Sequence, residues 1–154
     1  MSPRPIRAPT SGMTLIELIV ATAILLVLTS MALPLARVQI ERQRERQLRA
    51  DVAEMRAAID RYKDAADRGL IQIQLDTQGY PPDLDTLVQG VPMGTEKLHF
   101  LRAIPKDPFT NSYDWGLRSV QDDPDSTSWG GQDVFNVYST SDAVALDGTH
   151  VNKW

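Results

Sequence analysis

Cysteine is absent from this chain of 154 residues, so it has neither a disulfide framework nor a thiolate metal site. Histidine is scarce. The two present, His99 and His150, lack the spacing of paired metal ligands, and no Gly-x-Ser-x-Gly, Walker or His-Glu-x-x-His pattern occurs. An enzymatic role is therefore not expected. Positive charge is also short, with 16 Lys and Arg against 20 Asp and Glu and a net charge of −4. That balance argues against a nucleic-acid partner, whose phosphates demand a basic footprint. Length leaves room for one globular domain, because domains commonly run to about 100–150 residues and an N-terminal helix uses much of this chain. The acidic run Asp122-Asp123-Pro124-Asp125 reads as a solvated loop.

What is present is concentrated at the N-terminus. Gly12-Met13-Thr14-Leu15-Ile16-Glu17 leads into a segment, Leu18 to Ala36, without a single charged residue. From Met13 to Ala36 a helix would be about 36 Å long, and a bilayer core is crossed by about 20 apolar residues. The sequence therefore predicts a membrane span over 13–36. A carboxylate at the mouth of such a span is read as functional, with a partner to be named; an ordinary single-span anchor would instead let Glu17 snorkel to the headgroups. Pro34 removes a backbone donor and predicts a kink or local opening, with Thr29 and Ser30 available to satisfy freed backbone groups.

A secretory signal would have a shorter apolar core followed by its small cleavage residue. Here the small residue, Gly12, precedes the core. The order resembles the class III signal of type IV prepilins and of the pseudopilins of type II secretion systems. The resemblance implies a cytoplasmic leader, residues 1–12 with Arg4 and Arg7, removed after Gly12 by a prepilin peptidase. It implies N-methylation of the new first residue, Met13, where phenylalanine is usual. It further implies that Glu17 pairs with the N-terminal amine of a neighbouring subunit during filament assembly, and that helices loosen near Pro34 as subunits pack. Loss of the leader would take the net charge from −4 to −6. Arg37, Arg42, Arg44, Arg46 and Arg49 follow the span and by the positive-inside rule would place the C-terminal side in the cytoplasm. The signal implies the opposite, and interleaved Glu41, Glu45 and Asp51 dilute the basic cluster.

Beyond the span the pattern turns amphipathic. Leu48, Val52, Met55, Ile59 and Tyr62 recur at steps of four and three, one stripe of a helix, and Gly69 is a C-terminal stop. With Pro34 as the only strong breaker before it, one long helix is expected from Met13 to about Asp67. The stripe covers little more than two heptads, which favours packing on a domain over a coiled coil. Pro81-Pro82-Asp83 opens a short helix carrying Leu84, Leu87 and Val88, and Ile71–Leu75 alternates like a short strand or extended loop. Ser112–Arg118, with Tyr113 and Trp115 on one side, and Val134–Ser139 read as antiparallel strands whose apolar face the stripe would cover. The expected organisation is leader 1–12, transmembrane helix 13–36, amphipathic helix 37–68 and globular α+β domain 69–154. The fold class is α+β, a long N-terminal helix packed on a small antiparallel sheet.

Tyr62-Lys63, Tyr80-Pro81, Ile104-Pro105-Lys106-Asp107-Pro108 with Asn111 and Tyr113, then Phe135-Asn136-Val137-Tyr138-Ser139 and Trp154, are similar in order to the major pseudopilins of type II secretion systems. The stretch Asp122–Gly131 is longer than usual in that family, and Ser139–Gly148 shorter. The resemblance implies a type IV pilin-like fold and a homopolymer in a periplasmic filament, with minor pseudopilins, an inner-membrane assembly platform, the prepilin peptidase and membrane lipid as partners. It places the chain in a bacterial inner membrane as a single-pass protein with its C-terminal domain in the periplasm. It implies calcium held by Asp142 and Asp147 with Ser139 and Ser141 as further oxygen donors, whereas Asp147-Gly148 alone is also a plain turn. A surface type IV pilin and a membrane-anchored binding module that never polymerises are the alternatives; the missing cysteines count against the former.

Overall fold

The computed structural model describes residues 12–154, and for residues 31–36 the backbone alone. Helix α1 runs from Leu15 to Asp67. Thr14 caps it, its hydroxyl accepting from the Glu17 amide at 3.3 Å. At the far end Gly69, at φ 68°, turns the chain. The Leu70 amide reaches back to the Ala65 carbonyl and the Gly69 amide to the Ala66 carbonyl, a Schellman closure. The backbone is assigned as one helix through Pro34, whose side chain lies outside the described residues. The chain divides into two compact units, Met1–Gln39 and Ile40–Trp154.

In the second unit, α1 contributes the predicted stripe. Leu48 and Met55 are fully buried, and Val52, Ile59 and Tyr62 nearly so. They share one core with Leu87, Phe100, Trp115, Val134, Val137 and Val151. Helix α2, Leu84–Gln89, starts where Pro81-Pro82-Asp83 places it: the Asp83 carboxylate accepts from the Thr86 amide at 2.7 Å, and Leu84 and Leu87 are buried.

The sheet differs from expectation in number. Two antiparallel pairs form. Strand β1, Val91–Met93, pairs with β2, Glu96–Leu98, and β3, Trp115–Arg118, pairs with β4, Asn136–Ser139. The first hairpin is not evident in the sequence, since Pro92 and the charged pair Glu96-Lys97 carry no strand pattern; Gly94, at φ 64°, makes its turn. Both predicted strands begin later than their alternation suggests. Tyr113 precedes β3 and is exposed, whereas Trp115 is buried and donates from its indole to the Pro105 carbonyl at 2.9 Å. Ile71–Leu75 forms no strand. Ile71 alone is buried, and left-handed residues Asp76 and Gln78 follow the segment.

In the β3–β4 register Gly116 stands opposite Tyr138. A Cβ on Gly116 would collide with the Tyr138 ring, so glycine here lets the ring lie across the strand. The Arg118 guanidinium covers that ring at 4.0 Å.

Two two-stranded sheets are marginal by themselves, so the stripe of α1 supplies much of the unit's stability. Ile59→Ala, at a site 1% exposed, should destabilise the protein by about 2–5 kcal/mol. Urea denaturation of wild type and variant measures it, and a loss below 1 kcal/mol would contradict the core assignment.

Candidate functional site

The residues that the sequence singles out fall into two groups, one at each end of the chain. At the N-terminal end Gly12 and Met13 are exposed and Glu17 lies in the first turn of α1. The apolar side chains that follow are exposed all round the helix: Ile16 is 66% exposed, Leu26 72% and Leu28 60%. The hydroxyls among them are turned inward. Thr22 donates to the Leu18 and Ile19 carbonyls, Thr29 to Leu25 at 2.7 Å and Ser30 to Val27 at 2.8 Å. Such back-bonding satisfies polar side chains where no water is available. Among the described residues no helix is long and apolar enough to cross a membrane. The described apolar stretch, Leu15 to Ser30, is about 24 Å long, short of a hydrocarbon core of about 30 Å; residues 31–36 of the predicted 13–36 span lie outside the described side chains. Leader residues 1–11 lie outside them as well.

The C-terminal group is held by a buried carboxylate. Asp107 is fully buried, accepting from the Ser139 hydroxyl at 2.6 Å and from the Phe109 and Thr110 amides at 2.7 and 3.3 Å. It thereby fastens the loop before β3 to the end of β4. The last residues are strapped to α1 in turn. Glu45 accepts from the Leu146 amide, and Arg56 donates to the Asn136 side chain, the Val137 carbonyl and the Trp154 main-chain oxygen. Arg49 lies over the Trp154 indole at 3.8 Å. Along the sequence Arg49 counts only as topogenic charge and Arg56 carries no mark; Glu45, Arg49 and Arg56, four and seven residues apart, share one helix face, and that was the available signal.

In that frame each of the four proposed calcium ligands already has a protein partner. The Ser139 hydroxyl is committed to Asp107, and the Ser141 hydroxyl accepts from the Ala143 amide. Asp147 accepts from the Thr149 hydroxyl and amide and pairs with Arg49 at 3.3 Å. Asp142 meets His150 at 3.1 Å and the Asn152 amide at 3.3 Å. Among the described residues no group of three or more His, Asp or Glu is arranged for a metal ion. As placed, these side chains do not fit one ion; Asp147 instead closes a turn, with Gly148 at φ 84°.

Burial shifts two carboxyls. Desolvation holds Asp51 above the ordinary aspartate range, against the hydrogen bond from Gln47, and the charges of Glu54 and Asp107 add to the rise. Desolvation also raises Asp133, against the Val120 amide, and Asp122 adds to it. Asp147 is lowered, chiefly by the Thr149 hydroxyl.

A family model described as the prokaryotic N-terminal methylation motif matches residues 7–33. No curated protein and no solved structure matches the chain. The matched segment carries the signal class of type IV pilin-like proteins, and it precedes an α+β fold in which a long helix packs on small antiparallel sheets.

Because burial raises the Asp51 carboxyl above its ordinary range, ionising it costs folded stability. That cost is absent at acid pH, grows as pH rises from the ordinary aspartate value to the raised folded one, and is constant above it. Asp51→Asn keeps an acceptor for Gln47 and removes the charge. Its melting temperature should exceed wild type at pH 7, with the advantage vanishing toward pH 3. Melts across that range provide the check, and an advantage independent of pH would contradict it.

Proposed function

We propose that this chain is a structural subunit, a pseudopilin of the type II secretion class, that polymerises into a periplasmic filament and takes no catalytic part in export. The observation that carries the reading is the methylation-motif match over residues 7–33, ending in a helix whose apolar side chains stand exposed on all sides. Such a surface is stable only when lipid or like helices cover it. A filament subunit has both coverings in turn, lipid before assembly and neighbouring α1 helices afterwards. Order in the C-terminal motifs, from Tyr80-Pro81 to Phe135–Ser139 and Trp154, supports the secretion class over the surface pilus.

In this reading Met1 to Gly12 is a cytoplasmic leader and residues 13–36 complete the span, so that the unit from Ile40 onward lies in the periplasm. The prepilin peptidase cuts after Gly12 and Met13 is methylated. Minor pseudopilins and an inner-membrane platform are the partners during growth. Glu17 supplies the selective step. A carboxylate within hydrocarbon costs about 2.5–3.5 kcal/mol near mid-membrane and less at its margin, and a neighbour's terminal ammonium offsets this only in the polymer.

Mass spectrometry of protein from its native membrane should find a chain that begins at methylated Met13. Gly12→Arg should leave it full-length and unmethylated; a mature terminus elsewhere would overturn the leader. For assembly, Glu17→Ala should reach the membrane at wild-type levels yet form few filaments. Crosslinking between positions 13 and 17 of separate subunits distinguishes a polymer from a lone anchored module. Wild-type filaments and secretion with Glu17→Ala would refute the pairing role.

A further inference from the structure

Helix α1 and the chain that leaves β2 form the sides of a groove in the second unit. Its larger part, about 580 Å³, is lined by Glu54 and Arg61 from α1 and by His99, Phe100, Leu101 and Arg102 from the segment after β2. That is the size of a small-ligand site. A smaller part of about 270 Å³ adjoins it through Arg61, His99 and Phe100, and Ala65, Leu70 and Leu98 line it further along. Asp64 and Arg68 pair with each other there, so the smaller part is mainly apolar and the larger one basic. The wall is fixed. The Phe100 and Leu101 amides both donate to the Leu87 carbonyl at 3.0 Å, and the Phe100 ring packs on Tyr62 with centroids 5.2 Å apart.

The basic groups of the larger part are not neutralised, and two of them are held in position. Arg61 donates through Nη2 to the Phe100 carbonyl at 2.7 Å, which leaves its other N–H groups for the groove. His99 Nδ1 stands 2.8 Å from the Val88 carbonyl; a carbonyl only accepts, so Nδ1 carries a proton and Nε2 is left for a ligand, donating to it once the ring is protonated. Gly90, at φ 74°, permits this placement, because a Cβ there would come within 2.9 Å of the His99 ring and of the Leu98 carbonyl. Elsewhere in this unit Arg44, Arg49, Lys63, Arg68, His150 and Lys153 each meet a carboxylate. Among the described residues Arg61, His99 and Arg102 meet none. Glu54, the one acid of the larger part, lies two turns from Arg61 along α1, about 10 Å, and forms no ion pair with it. An acidic chain that leaves three basic groups unpaired around one hollow is complementary to an anion.

We propose that this groove binds a phosphate monoester, its phosphate held by Arg61, His99 and Arg102 and its organic part lying along Phe100 toward Leu98 and Leu70. A phosphate monoester presents three terminal oxygens, enough for two guanidinium forks and an imidazole, whereas a carboxylate presents two. Arg61, His99 and Arg102 are exposed, so the ligand enters without opening the core. The groove lies wholly within the unit Ile40–Trp154 and is independent of any role in a filament.

Scarce histidine supplies the reporter, since His99 lies in the groove and His150 pairs with Asp142 outside it. The full chain, isotopically labelled at histidine, is held in uncharged detergent micelles for nuclear magnetic resonance at constant ionic strength. Glycerol phosphate is titrated in, or the micelles are doped with phosphatidic acid, which carries the same group on a lipid. The His99 ring signals should shift saturably while those of His150 stay in place. Arg61→Gln and Arg102→Gln should each weaken binding about tenfold or more, and Glu54→Gln, which removes the acid of this part, should strengthen it. A response to glycerol phosphate identifies a soluble ligand, and a response to phosphatidic acid alone identifies a lipid headgroup. The proposal is overturned if neither shifts His99, if sodium chloride reproduces the shift, or if His150 shifts in parallel. It is equally overturned if Arg102→Gln, at an exposed position that leaves the core untouched, binds as wild type.

Discussion

The globular unit depends on a single stripe of one helix being covered. Leu48, Val52, Met55, Ile59 and Tyr62 are all nearly or fully removed from water, and burying a large apolar side chain contributes about 1.5–3 kcal/mol. Among the described residues no other element of this unit presents a comparable buried stripe. β3 and β4 have four residues each and β1 and β2 three, too short to hold a core between themselves. They contribute Trp115 and Val137 against the helix, and α2 contributes Leu87. Gly116 makes the fit closer by admitting the Tyr138 ring where any side chain would exclude it.

A thin core leaves long loops to be held by other means, and without cysteine the means are polar. Asp107 joins the loop before β3 to Ser139 from a fully buried position, with three donors around it to offset the cost of desolvating a carboxylate. Arg56 performs the corresponding task from α1, joining β4 to the last residue of the chain through three acceptors. The exposed pairs add little by comparison. Arg49 and Asp147 are each about half exposed, where solvent and side-chain entropy reduce an ion pair to at most about 1 kcal/mol. The buried Asp107 and half-buried Arg56 therefore hold the C-terminal residues in place.

The first unit follows a different rule. After Glu17 its helix surface from Leu18 to Ser30 is apolar on every side, and its few hydroxyls return to their own backbone. Thr14 and Glu17 form the start of this helix as Ser/Thr-x-x-Glu commonly does, the hydroxyl capping the Glu17 amide. One residue pair thus serves the local geometry and also lies inside the methylation motif. The two demands are compatible, since an acidic group in the first turn suits the helix dipole.

Features set by short-range periodicity were legible from residues alone. The step of four and three fixes a helical stripe wherever the chain ends up, Asp83 after two prolines starts a helix by capping it, and Gly69 ends one because only a left-handed residue closes the last turn. The N-terminal signal is likewise a matter of consecutive residues. Contacts between distant residues were not legible. Asp107 meets Ser139, Arg56 meets Trp154, and Glu45 meets Leu146 only after the chain has folded back, and no local pattern distinguishes these partners from other polar residues. The same reason hid the partners of the expected calcium ligands, since His150 and Asn152 reach Asp142, and Arg49 and Thr149 reach Asp147, only in space. It also placed Asp133 in the interior while Asp122 stayed near the surface. Burial is a property of the assembled fold, and an aspartate in a polar loop carries no mark of it in its own neighbours.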